Sequence, residues 1–242
     1  MSADTIISTV KGQKEQESLK SSDLLGIRVD HFALNKLSSI TKNAHIVTLN
    51  FEMFVEAQSD SEFKEIINNA DLVIADGVFI SFLILILTGK RVKKITGIDL
   101  AEKLIEKTNK VALLGAKSST LELVKKNFSD KIVFAHHGFF EENSIEEEKI
   151  IQNLEKSSPE LFLVALGSPK QEKFISRNQK TLAGSMKIGV GGAFDIWSKE
   201  KKRAPKWMIS LHLEWFFRII QEPYRLKRFF YNVCKFFSLL FQ

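Results

Sequence analysis

The amino-acid sequence, 242 residues long, predicts an α/β protein with a doubly wound, mainly parallel sheet and a helical, basic-aromatic appendage at the C-terminus. Three observations carry this expectation. Short apolar runs of strand length recur along the chain and end at glycines or small polar residues. Helical patterns separate most of them. The excess positive charge is confined to residues 199–242, which hold ten Lys or Arg against three Asp or Glu, whereas the remainder holds 25 against 26. Strands alternating with helices of this length are joined in parallel by right-handed crossovers, which gives a Rossmann-like sheet.

Taken in order, residues 1–23 lack a continuous apolar segment after a basic start, so they read as a disordered lead rather than a signal peptide. Leu24 to Phe32 reads as a strand or hairpin arm and Ala33 to Thr41 as a short helix. His45 to Leu49 is a buried strand, Phe51 to Asn69 a helix, and Leu72 to Ala75 a strand. Val78 to Leu87 (VFISFLILIL) is the most apolar run; far shorter than the roughly 20 residues that span a bilayer, it reads as a buried helix. Lys110 to Leu114, Lys131 to Ala135, Glu160 to Leu166 and Met186 to Val190 complete the strands. The α/β body is therefore expected over residues 24–198 and the appendage over 199–242. The single cysteine, Cys234, excludes an internal disulfide.

In such sheets ligands lie outside the carboxyl ends of the strands. Polar and glycine residues gather there: Thr48 and Asn50, Asp76 and Gly77, Gly115, Gly167 to Gln171, and Gly191, Gly192 and Asp195. Each has an ordinary structural use as well. Asp76 can cap the helix that follows, and Gly115 can permit a tight turn. In the appendage, Arg218, Arg225 and Arg228 are spaced to stack on one face of a continuous helix, which Pro223 must bend or restart.

Several chemistries lose support by absence. There is no G-x-G-x-x-G and no G-x-x-x-x-G-K-[ST], so nicotinamide, flavin and P-loop nucleotide use have no fingerprint. The histidines form no H-E-x-x-H and have no cysteine partner, which argues against zinc; His136 and His137 read as part of a turn. No G-x-S-x-G elbow is present. One carboxylate, small polar groups, an amide, glycine turns and arginines remain, a set suited to an anionic, phosphate-bearing ligand. The residues alone also admit another Rossmann-type nucleotide enzyme or a basic nucleic-acid-binding module, although no RNP-like or helix-turn-helix signature is present.

The motifs TLN at 48–50, ADG at 75–77, TGIDL at 96–100, LLG at 113–115, ALGSPKQE at 165–172, GVGGAFD at 189–195, RAP at 203–205 and EWFFRIIQEPYRLKR at 214–228 occur in an order that resembles the WecG/TagA/CpsF glycosyltransferases. The resemblance runs from about Leu24 to Arg228. It implies transfer of a sugar, typically N-acetylmannosamine or its uronic acid, from a UDP-sugar to a polyprenyl-diphosphate-linked sugar. That transfer is inverting, needs no metal or other cofactor, and feeds teichoic acid, common antigen or capsular and exopolysaccharide synthesis. It also implies homo-oligomers and no nucleic-acid partner. Residue by residue, it makes Asp76 the general base, Thr48 its polar neighbour and Asn50 the end of the T-x-N motif. Gln171 and Asp195 then line the nucleotide-sugar pocket, together with the Gly115, Gly191 and Gly192 turns, and Arg218, Arg225 and Arg228 fold over the diphosphate. Lys94 stands where many members carry Arg, which keeps the charge but loses the bidentate fork; Tyr224 replaces a frequent Arg.

A lipid-borne acceptor requires the enzyme to meet a membrane, here the cytoplasmic face of the cell membrane as a peripheral protein. Beyond Pro223, Leu226, Phe229, Phe230, Val233, Phe236, Phe237, Leu240 and Phe241 recur at three- and four-residue spacing. The expectation is an interfacial helix with a basic rim lying in an anionic leaflet, rather than one packed on the protein's own body.

Overall fold

The structure, a computed structural model, describes residues 20–240. Its centre is a six-stranded sheet of β3 (His45–Leu49), β4 (Leu72–Ala75), β5 (Val111–Gly115), β6 (Ile132–His136), β7 (Leu161–Ala165) and β8 (Met186–Gly189). The spatial order is β4-β3-β8-β7-β5-β6, and every neighbouring pair is parallel. The strands match the apolar runs to within one residue at each end. They read as continuous apolar runs rather than alternating ones because both sheet faces are covered.

One face presents Ile46, Ile74, Leu113, Leu163 and Ile188 to the helices over Gly97–Lys107, Ser118–Asn127 and Ala193–Trp197. The other face is covered in two parts. Val47, Leu49 and Val73 meet α1 (Phe51–Ala57), α2 (Ser61–Asn69) and α3 (Val78–Thr88). Leu114, Phe162 and Val164 pack with residues of the helices over Ile145–Ser157 and Lys170–Arg177. In chain order the helices of the body are α1 to α3, α4 (Gly97–Lys107), α5 (Ser118–Asn127), α6 (Ile145–Ser157), α7 (Lys170–Arg177) and α8 (Ala193–Trp197). The appendage adds α9 (Lys206–Ser210), α10 (Glu214–Gln221) and α11 (Tyr224–Leu240).

Several expectations are corrected. The body begins before residue 24, because β1 (Ser21–Asp23) pairs antiparallel with β2 (Arg28–Asp30); residues 1–19 of the expected lead lie outside the described residues. The helix expected over Ala33 to Thr41 is a 3-10 run, Leu34–Ser39. The helix expected over Phe51 to Asn69 is two helices, since Asp60 accepts the Phe63 N–H at 2.9 Å and caps α2. An Asp in this position competes with helix continuation for local backbone donors.

The apolar run Val78–Thr88 is a helix but not a buried one: only Ile80 and Ile84 are fully enclosed, while Phe82 and Ile86 are 54% and 61% exposed. Pro223 separates α10 from α11, so Arg218 lies on one helix and Arg225 and Arg228 on the next. One face of α11 also packs on the protein's own body. Phe236 lies 5.9 Å from the Phe51 ring and 6.0 Å from Phe54, and Phe229 lies 5.3 Å from Phe79. Phe230, Phe237 and Leu226, on the adjoining flank of the helix, remain exposed; Phe241 falls outside the described residues.

Candidate active site

Two cavities open where the carboxyl ends of the strands meet the appendage. The larger, about 570 Å³, takes in the ends of four adjacent strands: Thr48 in β3 and Asn50 after it, Asp76 after β4, Gly167, Ser168, Pro169 and Gln171 after β7, and Gly189 at the end of β8 with Val190 to Gly192 after it. The appendage closes it with Lys201, Arg218, Glu222, Arg225 and Arg228. The smaller, about 180 Å³, is lined by Phe51, Phe79, Trp215 and Phe229 and reaches Lys94. Asp76, Asn50, Glu52, Arg218 and Arg225 belong to both, so Asp76 stands on the wall that the cavities share.

The local fold fixes Asp76 there. Its N–H bonds the Leu49 carbonyl at 2.8 Å, which ties the end of β4 to β3. Gly77 follows at φ +88° and ψ 162°, a region essentially restricted to glycine, and turns the chain into α3. Gly77 is the N-cap of α3, with no side-chain cap bond, so Asp76 does not serve as the helix cap. Asp76 is partly accessible from the cleft, yet protein surrounds its carboxylate closely enough for desolvation to dominate. That burial, reinforced by Glu214 and opposed by Arg218, the Gly97 N–H and Lys94, pushes the Asp76 carboxyl up to about 6. A carboxylate tuned to this range is suited to proton transfer near neutral pH.

Around it, Thr48 is buried and donates to the Gly189 carbonyl at 3.4 Å. Asn50 accepts the Met53 N–H through Oδ1 at 3.0 Å, capping α1, which leaves its NH2 group for the cleft. Gln171 is buried with both polar atoms engaged: Oε1 accepts the Gly191 N–H at 3.2 Å and Nε2 donates to Glu172 at 2.7 Å. Gln171 therefore shapes the β8 turn from beneath, and the Gly191 N–H is occupied within the protein. Glu172, which the sequence did not single out, is fully enclosed, and burial raises its carboxyl above the ordinary range against hydrogen bonds from Gln171 and Ser168.

Each of the three arginines is held by a carboxylate: Arg218 by Glu214 at 3.2 Å, Arg225 by Glu222 at 2.5 Å, and Arg228 by Glu52. These ion pairs use one nitrogen of each guanidinium, and the other donors of the planar fork remain for a ligand. Burial raises the Glu222 carboxyl, but hydrogen bonds from Tyr224, Lys201 and Arg225 outweigh it and hold it at about 2. Glu214 and Glu222 lie within the 214–228 motif at helical spacing from Arg218 and Arg225, whereas only the fold brings Glu52 to Arg228 and Lys201 to Glu222. Arg203 of the RAP motif spans to Asp99 at 2.5 Å and to Glu102 at 3.7 Å, fastening the appendage to α4.

Two expected site residues sit elsewhere. Gly115 lines neither cavity; a Cβ there would lie 2.4 Å from the Ala165 carbonyl oxygen, so its lack of a side chain serves the close approach of β5 to β7. Asp195 also lines neither, and reaches the larger cavity through Lys201, which bridges it at 2.7 Å to Glu222 at 3.0 Å. Lys94 faces the smaller cavity, with its Nζ 3.1 Å from His212 Nδ1.

Among the described residues one group could hold a metal. His136, His137 and Glu146 bring ligand atoms within 4.8 Å of one another. Spacing in the sequence hid this group, because Glu146 enters from the first turn of α6. It lies at the far sheet edge after β6 and lines neither cavity.

A doubly wound sheet with a charged cleft and a tuned carboxylate at its rim defines a class, an α/β enzyme with its site at the carboxyl ends of the strands. The comparisons narrow it. The sequence profile described as "Glycosyl transferase WecG/TagA/CpsF family" matches residues 22–242, and the chain belongs to that family of glycosyltransferases. It is similar to the N-acetylglucosaminyldiphosphoundecaprenol N-acetyl-beta-D-mannosaminyltransferase of Bacillus subtilis (strain 168), with 30% identity over 82% of this chain and 77% of the relative. The protein of the same name from Bacillus spizizenii (strain W23) is 31% identical over 77% of this chain and 75% of its own length. That of Staphylococcus aureus (strain MW2) is 27% identical over 92% and 95%.

Proposed function

We propose that this glycosyltransferase moves an N-acetylmannosamine-type sugar from a UDP-sugar to a sugar on a polyprenyl diphosphate, by inversion and without a metal. The observation that carries this reading is Asp76, its carboxyl raised to about 6, at the boundary of a cavity that holds Arg218, Arg225 and Arg228 and an aromatic one. A base between donor and acceptor is what a single displacement needs. The UDP-sugar occupies the larger cavity and the acceptor sugar approaches from the smaller, with its lipid chain toward Phe79, Trp215 and Phe229. Asp76 removes the proton from the acceptor hydroxyl. That oxygen bonds to the anomeric carbon as the bond to the diphosphate breaks on the opposite face, and UDP leaves with the electron pair.

The transition state is oxocarbenium-like, and the leaving diphosphate gathers negative charge. Arg218, Arg225 and Arg228 supply donors for that charge, and the sequence has no D-x-D pair to present a metal. The relatives' names specify an N-acetylmannosaminyl donor group and a GlcNAc-diphosphoundecaprenol acceptor, which supports the same substrate class here. A peripheral position on the inner face of the membrane follows from such an acceptor; among the described residues no helix is long and apolar enough to cross a membrane. The test is UDP release from a panel of UDP-sugars, with a short lipid-diphosphate GlcNAc as acceptor. Release with UDP-N-acetylmannosamine that depends on the acceptor supports the proposal, and no release with any donor overturns it.

A further inference from the structure

α3 is composed of VFISFLILILT, without a charged residue. A helix docked on a sheet needs one apolar stripe, and polar residues ordinarily occupy its outer side. Here Ile80 and Ile84 fill the inner stripe, yet Phe82, Leu85, Ile86 and Leu87 are exposed. The helix ends at Gly89 in the left-handed conformation, and Lys90, Arg91 and Lys93 follow, all exposed. No carboxylate occurs between Asp76 and Asp99, and none of those three cations pairs with one among the described residues.

We propose that this apolar stripe and its basic run form a membrane-contact element, separate from the C-terminal tail, that lies in an anionic leaflet beside the acceptor cavity. The proposal rests on the reading that the acceptor is lipid-borne. The two parts match the two layers of such a surface: Phe82 and Ile86 enter the acyl boundary while Lys90, Arg91 and Lys93 meet the headgroups. Eleven residues give a helix of about 16 Å, too short to span, so it lies along the surface.

A second copy of the chain fits the patch less well. A two-fold contact places the same surface against itself, which would bring the uncompensated cations of the two copies together. The placement also has a use. The first turn of α3 carries Phe79, whose ring lies 5.2 Å from Trp215 and 5.3 Å from Phe229, and these rings line the smaller cavity that reaches Asp76. Docking α3 on the bilayer therefore sets one wall of that cavity at the lipid surface, where an isoprenoid can enter without crossing water.

The test uses the full chain carrying Phe82→Ser with Ile86→Ser, and separately Lys90→Glu with Arg91→Glu and Lys93→Glu. Flotation is measured with vesicles of phosphatidylglycerol and phosphatidylcholine, and with phosphatidylcholine alone. The expected result is at least a tenfold loss of partition onto the anionic vesicles for both variants, at unchanged thermal melting because all five residues are exposed. Variants that float with anionic vesicles as the wild type does would overturn the proposal. So would a wild-type dimer that the apolar variant dissociates without changing flotation, since the stripe would then be a self-contact. UDP release with a short, water-soluble acceptor is measured in parallel and should match wild type in both variants. Its absence in all three proteins would remove the proposed activity while flotation still decides the membrane contact.

Discussion

Asp76→Asn separates a catalytic carboxylate from a structural one, because the same burial that tunes the group also makes it costly to ionise. The Asp76 carboxyl lies at about 6 against an ordinary 3.8, and each pH unit of such a difference corresponds to about 1.4 kcal/mol. The folded chain holds this proton more tightly than the unfolded chain does. The associated stability is therefore complete below the unfolded value and is lost as pH rises through about 6. Partial access from the cleft lessens the effect, so ionised Asp76 costs about 1 to 3 kcal/mol. Asparagine keeps the shape and cannot ionise. The variant should melt higher than wild type at about pH 7.5 and alike at about pH 4, while turnover falls by about two to four orders of magnitude. In the wild type the rate should climb with pH up to about 6 and then level. Arg218→Ala should move that rise to higher pH and Glu214→Gln to lower, following the sign of each charge beside Asp76. Near-normal turnover in the asparagine variant, or a lower melting temperature at about pH 7.5, would refute the assignment.

The other predictions concern the appendage and the charge balance. Changing Arg218, Arg225 or Arg228 singly to Ala should lower turnover by about 10- to 150-fold, the equivalent of a charge-assisted hydrogen bond of about 1.5 to 3 kcal/mol. Thermal stability should fall by less than about 1 kcal/mol for Arg228, whose ion pair is solvent-exposed; variants that unfold would make the arginines structural. Activity should persist in excess EDTA, and its collapse would sink the metal-free reading. Leu226→Ser with Phe230→Ser and Phe237→Ser should weaken sedimentation with anionic vesicles and leave melting unchanged. Phe236→Ser, which removes a buried ring between Phe51 and Phe54, should instead destabilise the fold by about 3 kcal/mol or more, as a denaturation curve would show.

The sequence by itself determined the strands and the rim. A parallel strand covered on both faces must be apolar throughout, so His45–Leu49 and Leu161–Ala165 are legible without a structure. The residue after such a strand lies at the ligand edge, which is why Thr48, Asn50 and Asp76 could be named. What the linear order could not supply was the order of strands across the sheet. Gly115 has the same local pattern as Gly191, but β5 stands beyond β7 whereas β8 adjoins β3, and neighbouring strands are about 4.8 Å apart. One therefore reaches the cleft and the other does not. The same limit applies to the carboxylates. Glu214 and Glu222 meet Arg218 and Arg225 by i,i+4 and i,i+3 spacing that the sequence already contains, but Glu52 reaches Arg228 only once Pro223 turns α11 back over α1. Hydrophobicity also misled in one place: an apolar run states that a helix avoids water, but not whether it does so inside the protein. Only the tertiary structure decided that Phe82 and Ile86 face outward, because the sheet has room beneath α3 for a single stripe, filled by Ile80 and Ile84.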